Sequence, residues 1–457
     1  MAKAKDSFVL SAGVQLVYPG KKSEQEIFSG VQAHCVTYWS SPTANGHNNT
    51  LYFGDNLPVM LSMLSNPIYA KKIRLVYIDP PYATNSVFQA RGMKDAYADL
   101  LQGADYLEFL RERLTVIREL LADDGSIYVH LDENMAFEVK LLMDEVFGKS
   151  NFRNWITRKK CSTKNTTKNC YGDISDYILF YTKSSRYVWN RPYDEWPENK
   201  IAREYPCVDP NTGKRYKKVP IHAPGVRNGE TGKPWRGMMP PPGKHWQYTP
   251  SRLDEMDANG EIYWSASNNP RRKVFFDPSK GIPIQDIWLE YRDSVNQNIR
   301  VTGYPTEKNL SMLETIIQAS SNPGDIVMDC FCGSGSALQA AYSHDRQWVG
   351  IDNSVEAISA TLRRFHMGVE AFGDYVSLSK QQGSDKDLLK PEAFALTLFE
   401  KCPLVLHVQD KLLELAVGTW GVMNEQQDED EEELTDGSKL MPTEQQMRST
   451  TTAATVP

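Results

Sequence analysis

The sequence predicts an α/β protein built on a doubly wound sheet, with one block of different character inserted into it. Three observations carry that prediction. Short apolar runs at 51–53, 73–78, 126–131, 325–329 and 347–351 alternate with stretches of helical periodicity, the pattern of strands joined by crossover helices. One strand-to-helix junction, 330–336, is a run of small residues of the kind that lets backbone approach a ligand closely. The alternation fades only between 184 and 300, where Trp, Pro, Gly, Lys and Arg accumulate.

Residues 1–50 read as a lead-in with two short strand candidates, 8–10 and 14–18. Leu51-Tyr52-Phe53 is a strand, followed by Gly54-Asp55, and Asp55 stands at the N-cap of an apolar helix that opens near Pro58. The run 73–78 is β-branched and aromatic and is cut off by two prolines, which marks a buried strand. A polar loop over 83–94 lies at its carboxyl end, where open α/β sheets bind ligands. Asp105 to Glu108 reads as a capping box for a helix whose apolar face is Leu107, Leu110, Leu114, Ile117 and Leu121. Asp123-Asp124-Gly125 is the next turn, 126–131 a strand, and Asp132 the cap of a helix that stops at Gly148. A further strand covers 176–182. His130 alternates with apolar neighbours on its strand and reads as structural rather than as a base. After the block, a helix carries Leu310, Leu313, Ile316 and Ile317 inward, and the strand 325–329 leads into the small-residue loop. The expected segments are therefore a lead-in (1–50), a first α/β part (51–183), the insertion (184–300), a second α/β part (301–370), an extension (371–424) and an acidic tail (425–457).

The net charge of −7 conceals two opposed segments. Residues 425–457 hold nine acidic and two basic residues, which accounts for the whole of it and reads as a disordered tail. Residues 151–300 hold 26 basic and 16 acidic residues, a net of +10, and seven of the ten tryptophans. A basic block in an otherwise neutral body is the footprint of a nucleic-acid contact, set against a chance excess on a solvated surface. The tryptophans read mainly as the block's own core. Lys214, Arg215, Lys217, Lys218, Arg271, Arg272 and Lys273 are the candidate phosphate contacts. No apolar run approaches a membrane span, no apolar segment follows Met1 to Asp6, and seven cysteines without a CxxC pair fit reduced thiols, so a cytoplasmic location without signal peptide or metal is expected.

The chain turns on Asp79-Pro80-Pro81-Tyr82. The prolines stiffen the turn at the strand's end, which then offers a carboxylate, carbonyl oxygens and an aromatic face. Those groups can grip a planar ring bearing an exocyclic amine; alone, the tetrapeptide could equally be a plain strand-ending turn. Far downstream, Asp329 closes a second strand ahead of Cys330-Phe331-Cys332-Gly333-Ser334-Gly335. With both stretches present, the chain resembles the amino-methyltransferases of DNA, whose signatures are a D-P-P-Y tetrapeptide and an F-x-G-x-G loop. The tetrapeptide comes first and the glycine loop last, the arrangement of that family's β group, and the resemblance covers roughly residues 50 to 365.

The resemblance implies a Rossmann-like, circularly permuted methyltransferase sheet, S-adenosylmethionine as cofactor, and a target-recognition domain between the motifs. It implies catalytic roles for Asp79, Pro80, Pro81 and Tyr82, and cofactor contacts from Asp55, Thr302, Pro305, Asp329, Phe331, Gly333, Gly335 and Asp352. Asp55 would serve the cofactor's adenine while also capping its helix, and Asp352, some twenty residues after the glycine loop, would hold ribose hydroxyls. The expected partner is double-stranded DNA, with a homodimer and a restriction or defence-system subunit left open. Four functions follow: adenine-N6 methylation of duplex DNA, cytosine-N4 methylation, methylation of RNA or a protein amide, and a catalytically dead DNA-binding subunit. An aspartate first in the tetrapeptide is mostly an adenine feature in that family, so adenine is the expected target.

Overall fold

The computed structural model describes residues 15–40, 49–81, 87–90, 94–98, 103–162, 169–292, 300–301, 307–367, 370–371 and 402–420. They divide into two compact units, 1–190 with 285–457, and 191–284. In the larger unit ten strands form one sheet: β1 (Cys35–Ser40), β2 (Asn49–Phe53), β3 (Ile73–Ile78), β4 (Leu121–Leu131), β5 (Phe152–Lys159), β6 (Ser175–Thr182), β7 (Ile287–Trp288), β8 (Ile326–Asp329), β9 (Gln347–Asp352) and β10 (Leu404–Gln409). Their order is β1-β10-β2-β9-β8-β3-β4-β6-β5-β7. The six strands from β10 to β4 run parallel, whereas β1 and β6 are antiparallel to their neighbours. This is a mixed α/β sheet with a parallel centre, the doubly wound class that the sequence predicts.

Parallel strands buried on both faces need near-continuous apolar sequence, and β3 supplies it: Ile73, Leu75, Val76 and Ile78 are fully buried. The helices covering the sheet include α1 (Asn56–Leu64), α2 (Gly103–Leu120), α3 (Ala136–Met143), α4 (Leu310–Ser320), α5 (Ser336–Ser343) and α6 (Val355–Met367). α2 packs Leu110, Leu114 and Ile117 into the core, the face its periodicity foretells. Because β2, β9, β8 and β3 are parallel neighbours, their carboxyl ends, and the residues 54–55, 79, 329 and 352 that follow or close them, fall along one edge of the sheet.

Several local expectations are corrected. Helix α2 begins at Gly103, so Asp105 lies inside its first turn and forms no capping box. Glu108 instead pairs with Arg111 one turn on and accepts a hydrogen bond from Tyr18. Residues 15–18 form no strand; the candidate at 8–10, and Val14, lie outside the described residues. Asp132 accepts from the amide of Asn134 and closes a turn one step early, leaving Met135 as the N-cap of α3. The Asp123-Asp124-Gly125 turn survives as an irregularity inside β4, where the register with β3 jumps from Ile73↔Leu121 to Leu75↔Ser126. β5 had no sequence expectation, and it brings β6 in antiparallel where strand–helix alternation alone implied a crossover.

The smaller unit holds a four-stranded antiparallel sheet in the order Cys207–Val208, Arg215–Pro220, Pro270–Phe275, Ile262–Trp264, with the helix Pro250–Ala258. Its core is Ile221, Trp235, Trp246, Leu253, Met256 and Ile262. Trp235 and Trp264 stack at 5.3 Å, so tryptophans of this block do serve as its core.

Candidate active site

The tetrapeptide's Asp79 follows directly on β3, and Pro80 is buried beside it. Tyr82, Thr302 and Pro305 lie outside the described residues. Asp79 meets Asp55, Asp329 and Asp352 around a cleft of about 320 Å³, which Pro80, Pro81, Phe331 and Gly333 also line. Gly335 does not line it. Gly335 holds the left-handed backbone (φ +73°) that turns the loop into α5, and a Cβ there would come within 2.8 Å of Thr361 Oγ1.

The glycine loop is tied down by its own hydrogen bonds. The amide of Phe331 donates to Asp329 Oδ1 at 3.0 Å, and the amide of Gly333 donates to Asp352 Oδ2 at 2.9 Å. Thr361 Oγ1 donates to the Gly333 carbonyl at 3.0 Å. Arg364, buried in α6, donates to the Ser334 carbonyl and hydroxyl and to Gln339 Oε1, and it pairs with the Glu307 carboxylate.

On the far side, Asp55 caps α1, its Oδ1 accepting from the Leu57 amide at 3.1 Å. The same oxygen accepts from Arg113 at 3.1 Å. Arg113 stacks its guanidinium 3.5 Å over the Phe109 ring and donates to Asn56, which in turn donates to the Cys330 carbonyl. Phe109 and Phe331 approach to 6.0 Å and give the cleft an aromatic wall.

Electrostatically the lining is dominated by carboxyls. Asp55, Asp79, Glu307, Asp329 and Asp352 face two cations, Arg113 and Lys308. Burial, then the neighbouring Asp79 and Asp352, push the Asp329 carboxyl well above the usual range. Burial also raises Asp352, although amide donors oppose it. Such a cleft is suited to a cationic ligand with a planar part against the phenylalanines. Cys330 and Cys332 are buried and their thiols raised by burial, as expected of packing residues.

Lys308 Nζ sits 3.0 Å from Asp79 Oδ2. Neither it nor Arg113 was singled out by sequence reasoning. Arg113 had one available signal: it follows Phe109 by four residues on α2, away from the leucine face that the periodicity emphasises. His130 is buried, hydrogen-bonded to Tyr77 and to Asp176, and its imidazole is lowered by burial and by the charge of Lys308.

In the smaller unit the basic candidates divide. Pairing sets Lys218 opposite Lys273 and Val219 opposite Arg272, so Lys218, Lys273 and Arg271 share one face of the sheet and Arg215, Lys217 and Arg272 the other. Lys273 is bound to the buried Asp209 at 2.7 Å, Lys218 lies 3.5 Å over the Tyr263 ring, and Arg272 hydrogen-bonds Tyr248. Lys214 and Arg271 are exposed, and Arg215 and Lys217 half-buried. The seven residues do not form a single stripe.

A sheet whose parallel strands end in a glycine loop and an acid-rich, aromatic-walled cleft has the arrangement in which α/β proteins bind nucleotide cofactors. Comparison sharpens that class. The family described as DNA methylase, of the N6/N4 methyltransferases, matches residues 73–363. Type II methyltransferase M.EcaI of Enterobacter cloacae is 48% identical over 377 residues, 81% of this chain and 82% of that one. The StyLTI Mod subunit, a type III restriction-modification enzyme of Salmonella typhimurium, is 26% identical over 74% of this chain and 57% of its own length. The DNA adenine methyltransferase YhdJ of Escherichia coli is 26% identical over 71% of this chain and 85% of that one. The chain belongs to the N6/N4 DNA methyltransferase family and is an enzyme that transfers methyl groups to amino groups of DNA.

Proposed function

We propose that the protein methylates adenine N6 at a specific sequence in duplex DNA, with S-adenosylmethionine as donor, inside a bacterial restriction-modification setting. The observation that carries the reading is the convergence of Asp79 with Asp55, Asp329 and Asp352 in one cleft. The cleft fits the cofactor by the chemistry of its lining: carboxyls for a cationic ligand, Phe109 and Phe331 for a planar base, and Asp352, at the end of β9, for ribose hydroxyls. When bound, S-adenosylmethionine supplies a methyl carbon already activated by a sulfonium.

The chain's own work is to make a poor nucleophile attack. The lone pair of an aromatic amine is delocalised into its ring. In our reading the Asp79 carboxylate and the Pro80 carbonyl accept the two amine hydrogens, which favours pyramidal nitrogen and localises the lone pair. Alignment of amine and methyl carbon by Pro80 and Pro81 supplies most of the remainder; well-oriented reactants gain about 7–11 kcal/mol at best. The base must be flipped out of the duplex, and Tyr82 is assigned to stack on it. Thr302 and Pro305 are assigned to the cofactor's methionine end. Lys214, Arg215, Lys217 and Arg271 are assigned to phosphates. Lys218, Arg272 and Lys273 make the intramolecular contacts described above, and their commitment to phosphate is correspondingly weaker.

Adenine is preferred over cytosine because aspartate opens the tetrapeptide and because YhdJ is named as an adenine enzyme. Nucleoside analysis of unmethylated genomic DNA after incubation with protein and labelled cofactor tests this. N6-methyladenine is the expected product; N4-methylcytosine keeps the chemistry and replaces the base.

A further inference from the structure

Lys308 is an unexpected cation in a cleft whose carboxyls suit a cationic ligand. Its ammonium is 3.0 Å from Asp79 Oδ2, with the two side chains only 10% and 17% exposed. The backbone that delivers it is pinned from both sides. Before it, Glu307 is paired with the buried Arg364, whose guanidinium also holds the carbonyl and hydroxyl of Ser334 in the glycine loop. After it, Asn309 caps α4 through the Met312 amide and donates to the Arg292 carbonyl at 3.0 Å. The lysine's reach to Asp79 is thus set by the same contacts that hold the glycine loop.

A positive charge here works against a sulfonium ligand, and fixing a long lysine stem costs rotamer entropy. Both costs call for compensation, and the contact with the Asp79 carboxylate supplies a charge-assisted one. An amine acceptor has to present its oxygen in a fixed direction. An ammonium on Oδ2 fixes the carboxylate plane, and with it the direction from which the carboxylate accepts an incoming group.

We infer that Lys308 is a positioning residue for methyl transfer, holding the Asp79 carboxylate in the orientation in which it accepts the target amine. The inference rests on the reading of Asp79 given above. It differs from a role in cofactor binding, because Lys308 then acts only through Asp79.

A double-mutant cycle on the full-length protein tests it, with single-turnover methyl transfer to DNA as one readout and calorimetric cofactor affinity as the other. K308M is expected to slow transfer roughly ten- to hundredfold while cofactor affinity stays within about threefold, and K308R is expected to recover most of the rate. In a D79N background, where no charged carboxylate remains to be held, K308M is expected to cost less than about threefold more. K308Q gives the same comparison should K308M not fold. An equal cost of K308M with and without D79N overturns the inference, as does a loss that appears chiefly in cofactor affinity. The reading of Asp79 fails separately, if D79N alone transfers at the wild-type rate.

Discussion

At the scale of single residues, the molecule's least comfortable feature is the gathering of acids at the sheet edge. Asp329 is 3% exposed and is raised by burial and by two neighbouring carboxylates, against which its Phe331 amide contact works. A ligand that brings positive charge relieves the arrangement. His130 shows the opposite case, a buried base kept neutral, since burial lowers its imidazole from the ordinary 6.5. The unfolded chain therefore binds a proton on this histidine below about pH 6.5 that the folded chain does not bind, so its contribution to stability is complete above that pH and is lost as the pH falls. We expect the melting temperature of the wild type to drop more steeply between pH 7.5 and 5.5 than that of His130→Gln; parallel curves would show that the histidine does not carry this dependence. Asp79, Gly333 and Asp352, which line the cleft, were legible in the sequence because each belongs to a compact run: Asp79 beside two prolines, Gly333 after a strand, Asp352 at a strand's end. Lys308 and Arg113 were not, because their meaning lies in distant partners, Asp79 and Asp55, that no local pattern names.

At the scale of elements, α6 braces the glycine loop from behind. Arg364 is 1% exposed at its side chain and Glu307 6%, so the pair is a buried one. Removing the arginine would leave the glutamate without that counter-charge and would free the Ser334 carbonyl. Breaking a buried pair from one side costs about 3–5 kcal/mol. Arg364→Met is expected to lose stability on that order in urea unfolding and to weaken cofactor binding, whereas Arg363→Met, its half-buried neighbour on α6, is expected to lose about 1 kcal/mol or less. Equal midpoints for the two variants would remove Arg364 from this role. The parallel half of the sheet was readable because buried parallel strands are written as continuous apolar runs. Of the antiparallel strands, β6 was readable as the run 176–182 and β5 was not. β5 carries Arg153, Asn154, Arg158 and Lys159 among its apolar residues, since Arg158 is buried on Asp176 and on the Tyr291 carbonyl rather than solvated. The misplaced cap at Asp105 has a similar cause: Glu108 had a better partner in Arg111 than in a helix terminus.

At the scale of the whole molecule, charge is distributed by segment, with a basic block between the two motif-bearing parts and acids in the tail. Composition picked out the block and seven candidate phosphate contacts within it. Strand pairing divides those residues over two faces, a distinction that only register can make, and internal partners engage Lys218, Arg272 and Lys273 closely and Lys217 at 5.0 Å over the Tyr205 ring. Replacing Lys214, Arg215, Lys217 and Arg271 with glutamine is expected to flatten the dependence of DNA affinity on salt, by about 0.9 in log–log slope for each phosphate no longer neutralised, with cofactor affinity unchanged. An unaltered slope would place the DNA interface elsewhere. The central claim, that Asp79 receives the target amine in a cleft that holds the methyl donor, is tested most directly by labelled methyl transfer from S-adenosylmethionine to unmethylated DNA by Asp79→Ala. The account predicts a rate lower by at least roughly ten- to hundredfold, the worth of one charge-assisted hydrogen bond of about 1.5–3 kcal/mol, with cofactor and duplex still bound. Transfer at the wild-type rate would contradict it.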